Sequence, residues 1–204
     1  MNGDNEQYFF KRRPFMSQTA ETLAVLDDRL RGLLRDYARR EPAHDALAAE
    51  FGTLLDDPED PFRRERLAGH FTASCWLVSA DGQRLLLTHH RKLQRWLQLG
   101  GHADGDRDLA RVALKEAEEE SGLTGLVLED PAIFDLDKHW IPERKDVPGH
   151  WHYDVRFVIR ALGGEAFVLS EESLDLAWRP VAEVAADPES DESMQRMARR
   201  WLAR

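Results

Sequence analysis

The stretch from Asp108 to Ser121 constrains this chain more than any other segment. Read as a helix at about 100° per residue, it lines up Leu109, Ala110, Ala113, Leu114 and Ala117 as an apolar stripe, with Arg107, Asp108, Arg111, Lys115 and Glu118 opposite. Glu116, Glu119 and Glu120 belong to neither side. They fall in a wedge of roughly 100° at the border of the stripe, so their carboxylates converge beside the protein body. Like charges at such spacings cost roughly 0.2–0.5 kcal/mol per pair, and partial burial further disfavours their charged forms. A hard divalent ion, which prefers carboxylate oxygens, relieves both penalties. The plainer alternative is an acidic surface helix paired with Arg111 and Lys115. Just before the helix, Gly100-Gly101-His102-Ala103-Asp104-Gly105-Asp106 reads as a tight loop that a phosphate or metal can approach closely.

The segments around this helix alternate between two periodicities. Leu23, Leu26, Leu30, Leu33, Leu34 and Tyr37 recur at three and four positions, which predicts a helix capped by Ser17 and interrupted at Pro42. Ala46 to Leu55 reads as a second helix, ended by the turn-rich Asp56 to Pro61. The continuous apolar run Phe71 to Val78, a turn at Ala80 to Gln83 and the strand Leu85 to Thr88 make a hairpin. Trp96 to Leu99 is a short strand stopped by the glycine pair, and Gly122 is placed to end the glutamate helix. Further strands are expected around Leu126 to Leu128, Ile133 to Trp140, Trp151 to Ile159 and Leu174 to Trp178. A helical turn at Val181 to Ala185 and a terminal helix from Ser190 to Leu202 complete the reading.

Composition narrows the function classes. The 38 acidic residues exceed the 28 basic ones for a net charge of -10, which disfavours general nucleic-acid binding. No window approaches the roughly 20 apolar residues of a membrane span, and the N-terminal residues lack the apolar stretch of a signal peptide. The single cysteine, Cys75, lies in an apolar strand and permits no intrachain disulfide. A soluble cytoplasmic protein is the expectation.

Gly101 through Leu123 resembles the signature of the Nudix hydrolases, G-x5-E-x7-R-E-U-x-E-E-x-G-U, where U is aliphatic. Gly101, Glu116, Ala117, Glu119, Glu120, Gly122 and Leu123 match it; Arg107 and Lys115 stand where the family has glutamate and arginine. In the family those two residues support the loop-helix geometry as an ion pair, which two cations cannot form; Asp106 or Asp108 is a candidate replacement for the acid. Trp178-Arg179-Pro180 and Val181 to Val184 also resemble the family, so the likeness covers residues 70–185. It implies an α+β fold, an α/β/α sandwich with a mixed sheet. A helical extension over residues 1–66 would precede the hydrolase domain, residues 67–204.

The resemblance also implies a chemistry. The Gly100 carbonyl and Glu116, Glu119 and Glu120 would hold Mg²⁺ or Mn²⁺ for cleavage of a phosphoanhydride bond in a small diphosphate-containing substrate. Glu119 or Glu120 is the first candidate base; Glu143 or Asp146 is the second. Alternation puts His150, His152, Asp154 and Arg156 on one side of a strand, where they either face solvent or contact phosphate and ribose; Trp151, Tyr153, Val155 and Phe157 on the other side read as core. His102 lies beside the expected metal site, and Arg95 belongs to the basic run His89-His90-Arg91-Lys92, a candidate for anion recognition. A zinc site of the usual kind is not expected, because the histidines lack a cysteine set and a His-x-x-x-His pair. The alternatives are a nucleotide sensor without hydrolysis, a diphosphate isomerase using Cys75, and an interaction protein dimerised by the Ser17 to Arg40 helix. The same helix also reads as a cap on its own domain.

Overall fold

Every residue of the first strand, β1 (His70–Val78), is buried, so both of its sides must be covered. A computed structural model, which describes residues 20–91, 94–144, 147–170 and 173–204, shows how. Ala73, Cys75 and Leu77 point into one apolar cluster, and Trp76 and Val78 into another. The first cluster is closed by α1 (Ala20–Arg40), α2 (Asp45–Leu55) and α3 (Leu109–Ser121). The second is closed by α4 (Val181–Ala186) and α5 (Glu192–Leu202). The result is an α+β sandwich with helices on both faces of a mixed sheet.

The sheet has eight strands among the described residues. Along its whole length β1 pairs in parallel with β7 (His150–Ala161). It pairs antiparallel with β2 (Arg84–His90) at one end and with β4 (Gly100–His102) at the other. Outside β2 lie β3 (Arg95–Leu97) and β8 (Ser173–Pro180); β7 carries β5 (Leu126–Leu128) and β6 (Asp135–Ile141).

Nearly every element lies where periodicity predicts it. One difference matters for the site: Gly100, Gly101 and His102 are not free loop but pair with Ser74, Ala73 and Thr72 of β1. Such an approach requires glycine, since a Cβ on Gly100 would stand 2.5 Å from the Ser74 hydroxyl oxygen. The N-terminal helices are built into the same interior as the sheet. Leu30, Leu34 and Tyr37 of α1 and Phe51, Leu54 and Leu55 of α2 share the cluster of Ala73, Cys75 and Phe157. That packing matches the cap reading of α1. Ser17, the expected cap residue, lies outside the described residues, as do Lys92 and Asp146.

Candidate functional site

Asp108 caps α3 by accepting from the Arg111 N–H at 3.3 Å, and Gly122 ends it in the left-handed region at φ 65°. Between these stops Leu109, Ala110, Ala113 and Ala117 of the apolar stripe are buried and Leu114 is half-buried, and this fixes the rotation of the helix. Glu116 and Glu120 are consequently half-buried and Glu119 exposed. Glu116 folds against the glycine pair so closely that a Cβ on Gly101 would stand 2.5 Å from its carboxylate oxygen Oε2. A side chain at position 101 would have to push that carboxylate aside. The Lys115 ammonium bridges Glu116 Oε1 at 3.1 Å and Glu119 Oε2 at 2.9 Å. Partial burial alone would lower Lys115, but these two hydrogen bonds raise it above its ordinary pKa. The carboxylates therefore already converge on one cation.

Successive strand residues point to opposite faces, so His102 leaves β4 on the side away from the Gly101 and Glu116 contact. It meets His70, His150 and His152 there. The His102 ring lies 5.2 Å from His70 and 5.0 Å from His152, and the rings of His70, His150 and His152 are mutually 5.0 Å apart. Burial, with Arg64 and the neighbouring rings, lowers His102 to about 4. Burial and the other histidines lower His152 to about 2, and burial also lowers His70. His70 opens β1 in register with His152, a convergence that strand periodicity within one segment does not reveal.

Further along the same face, the polar side expected of β7 is covered rather than solvated. Asp154 is 2% exposed and accepts from Thr72 Oγ1 at 3.0 Å and Ser74 Oγ at 2.8 Å. Arg156 is 3% exposed and donates to Asp154 at 2.8 Å, to Asp135 at 3.3 Å and to Ser193 of α5 at 2.8 Å, with Asp137 at 3.2 Å. Burial alone would lower the guanidinium, but the three carboxylates raise it. Asp135, fully buried, also receives Arg196 at 2.7 Å and Arg200 at 3.0 Å. Helix α5 thus lids a charge network, and both Asp154 and Arg156 are neutralised inside the protein. Trp151, expected in the core, is 37% exposed instead, near the open end of β7.

The remaining predicted residues are dispersed. Arg95 is exposed on β3 in register with His90. Glu143 is exposed between β6 and β7. Cys75 is 1% exposed, and burial first, then the charges of Glu120 and Asp154, raises its thiol well above the ordinary value. A nucleophilic cysteine needs the opposite environment.

A sequence model of the NUDIX domain matches residues 69–201. The chain belongs to the NUDIX family. As a member it is a Nudix-type hydrolase acting on acid anhydrides. No curated protein is a significant match by sequence. Among solved structures, a NUDIX-family hydrolase from Clostridium perfringens is 20% identical with a TM-score of 0.50, over 66% of this chain and 96% of that one. A MutT protein from Methanosarcina mazei is 18% identical with a TM-score of 0.51, over 68% and 96%. An Ap4A hydrolase of C. elegans is 17% identical with a TM-score of 0.50, over 65% and 95%. At such identities these structures show a shared fold.

Within the Nudix signature, the departure at Arg107 has a structural partner outside the family's pattern. Arg107 donates to both oxygens of Asp27 in α1, at 2.8 and 2.9 Å, and stacks over Phe62 at 4.7 Å. The position that holds glutamate in the family thus fastens α3 to the N-terminal helix here. Asp106 accepts from Arg111 at 2.7 Å, and Asp108 caps the helix. Both of the candidate acids serve the start of α3.

Proposed function

We propose that this Nudix protein is a Mg²⁺-dependent (or Mn²⁺-dependent) hydrolase of a phosphoanhydride bond in a nucleoside diphosphate linked to a second group, or in a similar small substrate. One observation carries this reading: the Glu116 carboxylate lies against the Gly101 backbone and shares a cation with Glu119. Lys115 is 56% exposed on a flexible stem, so the ammonium can swing out and leave the oxygens to a divalent ion. The Gly100 carbonyl, Glu116, Glu119 and Glu120 supply the all-oxygen donor set that Mg²⁺ prefers. A bound Mg²⁺ would neutralise the diphosphate oxygens and the leaving phosphate.

The chain's own groups do the rest. Glu119 or Glu120 accepts the proton of the attacking water as its oxygen bonds to phosphorus and the anhydride P–O bond breaks. Glu143, in the exposed loop, is the second candidate base, with its neighbour Asp146. The remaining candidates for substrate contact are Arg95 of β3, a charge that a phosphate can meet, and His102 and His152, which lie across the sheet from the Gly101 and Glu116 contact. Asp154 and Arg156 are buried under α5 and paired with each other. The buried thiol and the absence of any helix, among the described residues, long and apolar enough to cross a membrane are consistent with the cytoplasmic location we assign.

A nucleotide sensor that binds without cleaving is the second reading, favoured by the Lys115 bridge across two of the acids. Mixing the purified chain with Mg²⁺ and a panel of nucleoside diphosphate derivatives, and counting released phosphate, separates the two. Turnover that falls in Glu119→Gln and Glu120→Gln supports the hydrolase; binding without turnover on every member supports the sensor.

A further inference from the structure

The histidines on the far side of β4 show a pattern that phosphoanhydride hydrolysis does not require. His70 Nδ1 lies 3.2 Å from the Arg66 carbonyl oxygen, and His150 Nδ1 lies 2.8 Å from the Pro148 carbonyl oxygen. A carbonyl only accepts, so in both rings Nδ1 carries the hydrogen and Nε2 presents a bare lone pair. The Nε2 of His70, a residue 2% exposed, is buried and has no hydrogen-bond partner in the protein. The Nε2 of His150 faces the Nε2 of His152 at 3.2 Å. That spacing equals the roughly 3.3 Å between two imidazole nitrogens that share one tetrahedral ion at about 2.0–2.1 Å. One ring nitrogen from each of His70, His150 and His152 lies within 4.8 Å of the other two.

An unpaired buried acceptor is costly, and imidazoles fixed by backbone carbonyls through the far nitrogen are the arrangement by which proteins orient metal-binding histidines. We propose that His70, His150 and His152 bind a borderline divalent transition metal, of the zinc class, on the face of the sheet opposite the glutamate helix. Nitrogen donors select such an ion over Mg²⁺, as carboxylates do the reverse. Two of the ligands come from β7 and one from the start of β1, so the ion joins the ends of two parallel neighbours. His152 closes the gap in the arrangement seen by turning its own Nε2 hydrogen toward His150; moving that hydrogen to Nδ1 exposes the third lone pair. The fourth position is left to His102, whose ring lies 5.2 Å from His70, or to water. This assignment makes His152 a ligand rather than a substrate contact, and it stands independently of the diphosphate reading.

The test uses the full chain freed of metal by a chelator and then loaded with Zn²⁺ or Co²⁺. After gel filtration, zinc retained per chain is measured in the wild type, in His150→Gln, in His152→Gln and in the double variant Glu116→Gln/Glu119→Gln. One equivalent is expected in the wild type and in the glutamate variant, undisturbed by excess Mg²⁺. Losing even an orienting partner weakens a metal site roughly 10–100-fold, so each histidine variant is expected to bind at least that much more weakly. His152 is only half-buried, which makes its variant the one expected to keep the fold, as circular dichroism will show. On the wild type alone, the X-ray absorption edge of bound zinc is expected to show imidazole nitrogen scattering. The proposal is overturned if the wild type retains no zinc, if the histidine variants retain as much as the wild type, or if only the glutamate variant loses it. Failure there leaves Mg²⁺-dependent phosphate release untouched, so the two readings fail separately.

Discussion

Residues of β7 only two positions apart belong to two polar clusters of opposite character. Asp154 and Arg156 sit under α5 with their charges met by Thr72, Ser74, Asp135, Asp137 and Ser193. His150 and His152 share the same side of the strand, yet they face each other and His70, whose Nε2 has no partner. Burial is similar for His150 and Asp154, so depth does not separate the clusters; satisfaction does. A paired network fixes the relation of sheet to helix. A buried acceptor without a partner marks a place for something the chain does not itself supply, and on the opposite face Glu116 and Glu119 of α3 converge on the single cation of Lys115.

The comparison breaks first at the converging acids, where the largest effect is expected on activity and little on stability. Glu119→Gln or Glu120→Gln is expected to lower Mg²⁺-dependent phosphate release by about 10²–10⁴-fold for whichever acts as base, while the thermal midpoint stays close to wild type. The paired network should behave the other way. Arg156→Met leaves Asp154 and Asp135 buried with fewer partners, and is expected to cost about 3–5 kcal/mol in urea denaturation. A stable Arg156→Met protein would mean that the network is not what holds α5 in place.

A gentler probe of the same network is acid. Burial alone would raise the Asp137 carboxyl, but the hydrogen bond from His139 and the charges of Arg156 and Arg196 hold it down to about 2, from an ordinary 3.8. A depressed carboxylate stabilises the fold above its unfolded value, and that contribution is lost as pH falls from about 4 toward 2. It amounts to roughly 2 kcal/mol. Wild type and Asp137→Asn should therefore differ by about that much at pH 6 and converge near pH 2 in denaturant titrations. An effect of similar size is expected at the family departure. Arg107→Gln removes the charge-assisted bonds to Asp27, at a cost of about 1.5–3 kcal/mol at most, and amide hydrogen exchange should quicken in α1 before it does in the sheet.

These contrasts also show what a sequence exposes. The glutamate helix was legible because its acids come from one element, where a 3.6-residue period fixes their directions, and Gly101 and Gly122 punctuate it. The layers were legible too, since the run from Phe71 to Val78 and the stripe from Leu23 to Tyr37 state their burial directly. The covering of β7 was not. Whether Arg156, and Asp154 paired with it, meet solvent depends on α5, some forty residues away, and on Asp135 of β6, which periodicity within β7 does not contain. His70 was hidden for the same reason, since only the parallel register of β1 with β7 brings it to His152. The role of Arg107 depended on Asp27, from a helix outside the Nudix pattern.

The central claim is that the acids of α3, gathered against the glycine bend, form a divalent-ion site. Titrating the purified chain with Mn²⁺ and following free ion by electron paramagnetic resonance tests it most directly. The account predicts binding by the wild type, competed by Mg²⁺, and sharply weaker binding in Glu116→Gln and in Gly101→Ala, whose added Cβ displaces that carboxylate. Equal Mn²⁺ affinity in the wild type and both variants would contradict it.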